Sequence, residues 1–227
     1  MTMVGALTLI ATACSRKPAV EAKNGSEAEK AARPPPAAAL PTLEATPTGA
    51  TRKLFLDVHE LGSGKVTAKD VAGAHQKDLA TESKYGVDYK AYWVDEKQGK
   101  IYCLVEAPSA EAATAVHKEA HGLVASKIMQ VAADNSSWTP TPGMKLYLDV
   151  HHLPAGKVTA KDVAAAHQKD LAAQGKHHVN YLNYWFDAES GTVMCLSEAP
   201  SAVDALEVHK EAHGLMPDSI EEVSEGR

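Results

Sequence analysis

A chain of 227 residues has room for one large domain or two small ones. Its formal net charge of −6 argues against a sequence-independent grip on nucleic acid, which needs a basic face. Histidine is over-used, with 11 copies against 3 cysteines, and histidine is the commonest metal ligand.

Residues 1–14, MTMVGALTLIATAC, are apolar and uncharged. A run of this length fits the core of an export signal and is too short for the roughly 20 residues a membrane span needs. Small residues precede Cys14, so the segment resembles a bacterial lipoprotein signal. That resemblance implies a lipid anchor on Cys14. With Ser15 next, it also implies an outer-membrane location facing the periplasm. The alternative is an apolar tail on a cytoplasmic protein. Residues 15–52 are rich in Ala, Pro, Glu, Lys and Thr without apolar periodicity, as expected of a disordered, semi-stiff tether.

The remainder is a duplication. KLFLDVHELGSGKVTAKDV starts at Lys53 and KLYLDVHHLPAGKVTAKDV at Lys145, and the offset of 92 holds without a gap to Val131 and Val223. About 48 of 79 aligned positions are identical. The domains are therefore residues 53–131 and 145–227, joined by a linker, 132–144, that carries Pro, Gly and Ser. Fully extended it would reach roughly 43 Å, enough to allow almost any packing of one unit on the other.

Each unit reads β-α-β-β-α-β. Lys53 to Leu61 alternates as a strand, with Leu54, Leu56 and Val58 on one side and Phe55, Asp57 and His59 on the other. Thr67 followed by Asp70 marks a helix start, and Val71, His75 and Leu79 continue it at i, i+4 spacing. Gly86 ends that region. Val87–Val94 and Lys100–Ala107 form two strands around a turn at Asp95 to Gly99. Pro108-Ser109 opens a second helix that Gly122 is placed to end, and Ile128–Val131 is a short last strand. Two crossovers in so short a unit give the α+β ferredoxin-like plan in tandem. One sheet face of each unit is left bare, and a unit this small buries only about 60–65% of its unfolded surface. Pairing of the two open faces as a pseudo-dimer relieves both problems; two independent beads are the alternative.

Four histidines recur at matched places: His59, His75, His117 and His121, then His151, His167, His209 and His213. On the second helix Ala113, Val116, Ala120 and Leu123 form the core stripe. His117 lies about 60° and His121 about 100° from its centre, which predicts half-solvated positions. At i, i+4 their rings can close on one ion. The ferredoxin-like plan ends the first strand and the second helix at one edge. It thus brings His59 to His117 and His121, with Glu60 or a carboxylate of the partner unit nearby. His75 reads equally as a ligand or as a buried structural residue.

Other patterns carry less. HKEAH is not the HExxH of zinc proteases, because Glu119 stands one place late. GSGKVT lacks the spacing of a phosphate loop. Cys103 and Cys195 are expected as buried free thiols, or as a disulfide if they lie near a pseudo-twofold axis. Tyr92-Trp93 and Tyr184-Trp185 are strand aromatics. Asp57 and Asp149 are expected to point away from the helices, towards the paired sheets.

DVHEL, YWVDEKQGKIYCLVEAPSAEA and VHKEAHGLVA together resemble the small nickel-binding ferredoxin-like proteins of actinomycetes, part of a wider family long filed as a domain of unknown function. The resemblance implies a dimeric sandwich, nickel held at the dimer surface, and sequestration of excess metal. Imidazole with carboxylate suits nickel, copper, zinc or cobalt, so nickel comes from the resemblance alone. The expected function is non-catalytic metal binding at the cell envelope. An enzyme with a cavity between the paired sheets, lined by Trp93, Tyr92, Asp57 and His75, is one alternative. A structural domain with incidental histidines is the other.

Overall fold

The computed structural model describes residues 51–133 and 138–227. The lipoprotein-like segment, Cys14 and nearly all of the tether lie outside the described residues, as do four residues of the linker. Among the described residues no helix is long and apolar enough to cross a membrane.

The first repeat runs β1 (Lys53–Glu60), α1 (Ala68–Thr81), β2 (Asp88–Asp95), β3 (Lys100–Ala107), α2 (Ala110–Ala120) and β4 (Lys127–Gln130). A two-residue β5 (Ala132–Ala133) follows. The second repeat runs β6 (Lys145–His152), α3 (Ala160–Ala173), β7 (Asn180–Asp187), β8 (Thr192–Ala199), α4 (Ala202–Ala212) and β9 (Ser219–Gly226). Local chemistry sets the boundaries. Thr67 and Asp70 form a reciprocal capping box on α1, as Thr159 and Asp162 do on α3. Such a cap contributes about 1 kcal/mol. Ser109 caps α2 through its hydroxyl. Gly122, at φ 80°, stops that helix by donating its N–H back to the His117 carbonyl.

Each repeat is a ferredoxin-like unit of four antiparallel strands, ordered β4-β1-β3-β2 and β9-β6-β8-β7. The last strand of each joins the two. β9 pairs with β6 as far as Val223, then with β2 through Ser224, Glu225 and Gly226. β5 pairs with β7 through Ala132 and Ala133. Only Val131 separates β4 from β5, so the nine-strand order closes on itself as a barrel. Thus Ala132 and Ala133, expected in the linker, belong to the sheet, and the two units are not separate beads.

The barrel interior holds Leu56, Trp93, Leu104 and Met129 against Leu148, Trp185, Met194 and Leu196. Trp138, also from the expected linker, packs 5.8 Å from both Trp93 and Trp185, which lie 4.7 Å apart. An anchored tryptophan restricts the freedom that linker length alone would allow. The cavity that an enzyme between paired sheets would need is filled by these rings. The helices cover the outer face, where Phe55, Val71, Val105, Ala113 and Val116 form one core and Tyr147, Val163, Ala205 and Val208 the other.

Candidate metal centre

The alternation of β1 divides its residues as expected, but the faces are reversed for the polar set. Leu54, Leu56 and Val58 face the barrel, while Phe55 faces the helices. Asp57 follows Phe55 and is fully buried under α1 and α2, not at the paired sheets; Asp149 is its counterpart. The reason is energetic. Beside Leu56 and Leu148 the barrel presents Trp, Leu and Met and no cation, and an unpaired buried charge is costly. The helix side offers His117.

His117 is the centre of the group. It is 2% exposed, not half-solvated, because α1 closes over that flank of α2. Its Nε2 lies 3.1 Å from Asp57 Oδ2 and 3.1 Å from the Tyr89 hydroxyl. A β-bulge between Tyr89 and Ala91 aims that tyrosine at the helix side. His117 Nδ1 lies 3.1 Å from Asp78 Oδ1 on α1 and 3.2 Å from His121 Nε2. His121 Nε2 is in turn 3.1 Å from Asp78 Oδ1. Three donor atoms therefore form a triangle with edges of 3.1–3.2 Å. The second repeat repeats it with Asp170, His209 and His213 at 3.1, 3.1 and 3.4 Å. Bonds of about 2.1 Å to one ion place neighbouring donors about 3.0 Å apart in an octahedron and about 3.4 Å apart in a tetrahedron. The triangles have the size of one face of either polyhedron.

The carboxylate of this group is Asp78, not Glu60 and not a residue of the other repeat. Sequence reading missed it. The signal present was HQKD in both repeats, which sets His75 and Asp78 three apart on one helix face. The donors of each candidate group come from one repeat alone. Glu119 is turned away to Lys84 and Tyr85.

The remaining histidines sit around this core. The His59 ring stands edge-on to His117 at 4.9 Å. With Cys103 and His117 it forms a second group of donors within 4.8 Å of one another, and Asp149, His151, Cys195 and His209 do the same in the second repeat. Cys103 and Cys195 are free and buried on the helix side, too far around the sheet to bridge at the barrel axis. His75 is buried at 3% and its ring packs 4.8 Å from that of Tyr92; it belongs to neither donor group. Asp57 Oδ1, His59 Nδ1 and His75 Nε2 are buried without a hydrogen-bond partner. A buried polar atom without a partner calls for an explanation, and a bound ion is one.

Electrostatics assign the protons. Burial works against an imidazolium at His117, but hydrogen bonds to Asp57 and Asp78 outweigh it and raise its pKa to about 9. His209 behaves alike, also at about 9. Burial pushes His59 down to about 4, reinforced by the charge of His117. Burial also lowers His75 and His121. Near neutrality the group thus holds one extra proton, on His117, shared between two carboxylates. An ion that takes its Nδ1 displaces that proton. The Nε2–H still donates to Asp57, the arrangement that orients a ligating imidazole.

The model of the nickel responsive SCO4226-like family matches twice, over residues 55–131 and 147–223. The crystal structure of SCO4226 from Streptomyces coelicolor A3(2) is 40% identical; the match covers 34% of this chain and 93% of that one, at a TM-score of 0.32. A mutant chlorite dismutase from Candidatus Nitrospira defluvii is 5% identical over 78% of this chain and 92% of its own, with a TM-score of 0.47. No protein of curated function matches. The chain belongs to the nickel responsive SCO4226-like family, whose unit it carries twice.

Proposed function

We propose that each repeat binds one divalent transition-metal ion, with nickel as the cargo, through Asp78, His117 and His121 in the first and Asp170, His209 and His213 in the second. The observation that carries this reading is the donor triangle, whose edges match those around a single ion and recur in both repeats. Asp57 and Asp149 hold the central imidazoles by their Nε2–H. His59 and His151, with Cys103 and Cys195, stand behind as further donors, and His75 and His167 line the approach. Two imidazoles and a carboxylate suit nickel, cobalt, zinc and copper, so the family supplies the preference for nickel. The role is buffering or sequestration of the ion, without catalysis. A place at the cell envelope, lipid-anchored through Cys14, is supported by the sequence alone.

Calorimetric titration of the protein with nickel, copper, zinc and cobalt tests the reading. Two ions per chain are expected, each releasing close to one proton at pH 7, measurable by repeating the titration in buffers of different ionisation enthalpy. Proton competition should begin below about pH 9, well above the pH near 6 expected of ordinary histidines. Binding weaker than millimolar for all four metals would leave the cluster structural.

A further inference from the structure

A cleft opens beside each donor group, between α1 or α3 and the sheet. It measures about 230 Å³ in the first repeat and 290 Å³ in the second. Val66, Val71, Ala74, Tyr92, Ile101 and Leu123 make its apolar wall in the first repeat, and Asp78, His117 and His121 stand at the same cleft. In the second repeat Val158, Val163, Ala166, Tyr184, Val193 and Leu215 take the equivalent places beside Asp170, His209 and His213. Where the repeats differ the wall stays apolar, as with Ile101 and Val193. Leu123 and Leu215 remain 40% and 48% exposed at the lip, where a polar residue would cost nothing.

A bare hydrated ion needs no such space. Its waters call for polar walls, and an unfilled apolar cleft between a helix and a sheet forgoes packing. Three protein donors leave one coordination position open in a tetrahedron and three in an octahedron. Small-ligand sites combine an apolar wall with a few convergent polar groups, and these clefts fall just short of the roughly 300 Å³ at which drug-sized sites begin, which suits a smaller ligand. Building on the metal reading, we infer that each repeat captures its ion together with one small organic chelator, a flat carboxylate with a compact apolar body. The chelator's donor atoms fill the open positions on the ion and its body lies against the cleft.

Equilibrium dialysis of the full chain against pyridine-2-carboxylate, with and without nickel, tests this by ultraviolet absorbance and metal analysis. Nickel-loaded protein is expected to retain up to one chelator per repeat, and metal-free protein at least tenfold less. Ala74→Phe with Ala166→Phe fills the clefts from half-exposed helix positions and should keep nickel while losing the chelator at least tenfold; Ala74→Ser with Ala166→Ser should keep both. Acetate, which has the carboxylate but no body, should displace the chelator only at a concentration at least tenfold higher than an equal displacement by unlabelled chelator needs. Nickel retained without chelator, retention unchanged in the phenylalanine variant, or acetate competing as an equal would overturn the inference and leave the metal reading standing. Loss of nickel under every condition would overturn both.

Discussion

The two repeats share their candidate donor residues letter for letter and differ at one end of the barrel between them. Asp57, His59, Asp78, Cys103, His117 and His121 all have identical counterparts. In the barrel Leu56, Trp93 and Leu104 are matched by Leu148, Trp185 and Leu196, but one end is not matched. Glu221 on β9 is buried and accepts from Lys100 Nζ at 2.5 Å and from the Tyr102 hydroxyl at 2.7 Å. The pseudo-symmetric positions are Met129, Thr192 and Met194, and the two methionines belong to the apolar barrel core. A homodimer must use the same patch on both sides, but fusion into one chain lifts that constraint and lets one end become ionic. A smaller difference lies within the sites. His151 Nε2 stands 3.1 Å from Asp149 Oδ1. Burial raises Asp57, while His151 and His209 together overcome the same burial and lower Asp149.

The sharpest way to break the equivalence is to remove one site. His121→Ala should abolish the ion of the first repeat and leave that of the second, halving the calorimetric stoichiometry; simultaneous loss of both would show that the sites are shared. Next is the ionic end of the barrel. Glu221→Ala strands Lys100 and should cost about 3–5 kcal/mol in urea unfolding. Glu221→Met with Lys100→Thr and Tyr102→Met copies the other end and should be close to neutral. A destabilised triple variant would mean that the barrel needs its asymmetry.

A pH series reads the paired imidazoles. His117 and His209 bind their protons more tightly in the folded chain, at about 9, than in the unfolded one, at about 6.5. Their contribution to metal-free stability is complete below about pH 6.5 and disappears as pH rises through about 9, on the order of 1–3 kcal/mol per site. Stability that climbs across that window would contradict the assignment. The smallest effect separates the two aspartates. Asp57→Asn and Asp149→Asn should each weaken metal binding about 10–100-fold in their own repeat. In the metal-free protein, carboxyl carbon resonances should show Asp57 titrating above the ordinary carboxylate range and Asp149 below it.

Much of this was legible in order along the chain. The duplication shows as a self-match at an offset of 92. The capping boxes at Thr67 and Thr159, the strand Lys100–Ala107 and the glycine that ends α2 are local signals, each depending only on neighbours within a few residues. They fix the ferredoxin-like plan and, with it, the meeting of His59, His117 and His121. The HKEAHGL motif supplies two of the three candidate donors in each copy, His117 and His121, then His209 and His213.

What the sequence did not reveal was set by contacts between distant segments. Which face of β1 looks inward, the burial of His117, the choice of Asp78 over Glu60, and the part Trp138 plays in the barrel all depend on what packs opposite. Periodicity divides a strand into two faces but does not say which one meets a polar partner. That is decided when α1 closes over α2, because a buried carboxylate is tolerable only where a cation or donor can answer it, as His117 answers Asp57 and Lys100 answers Glu221.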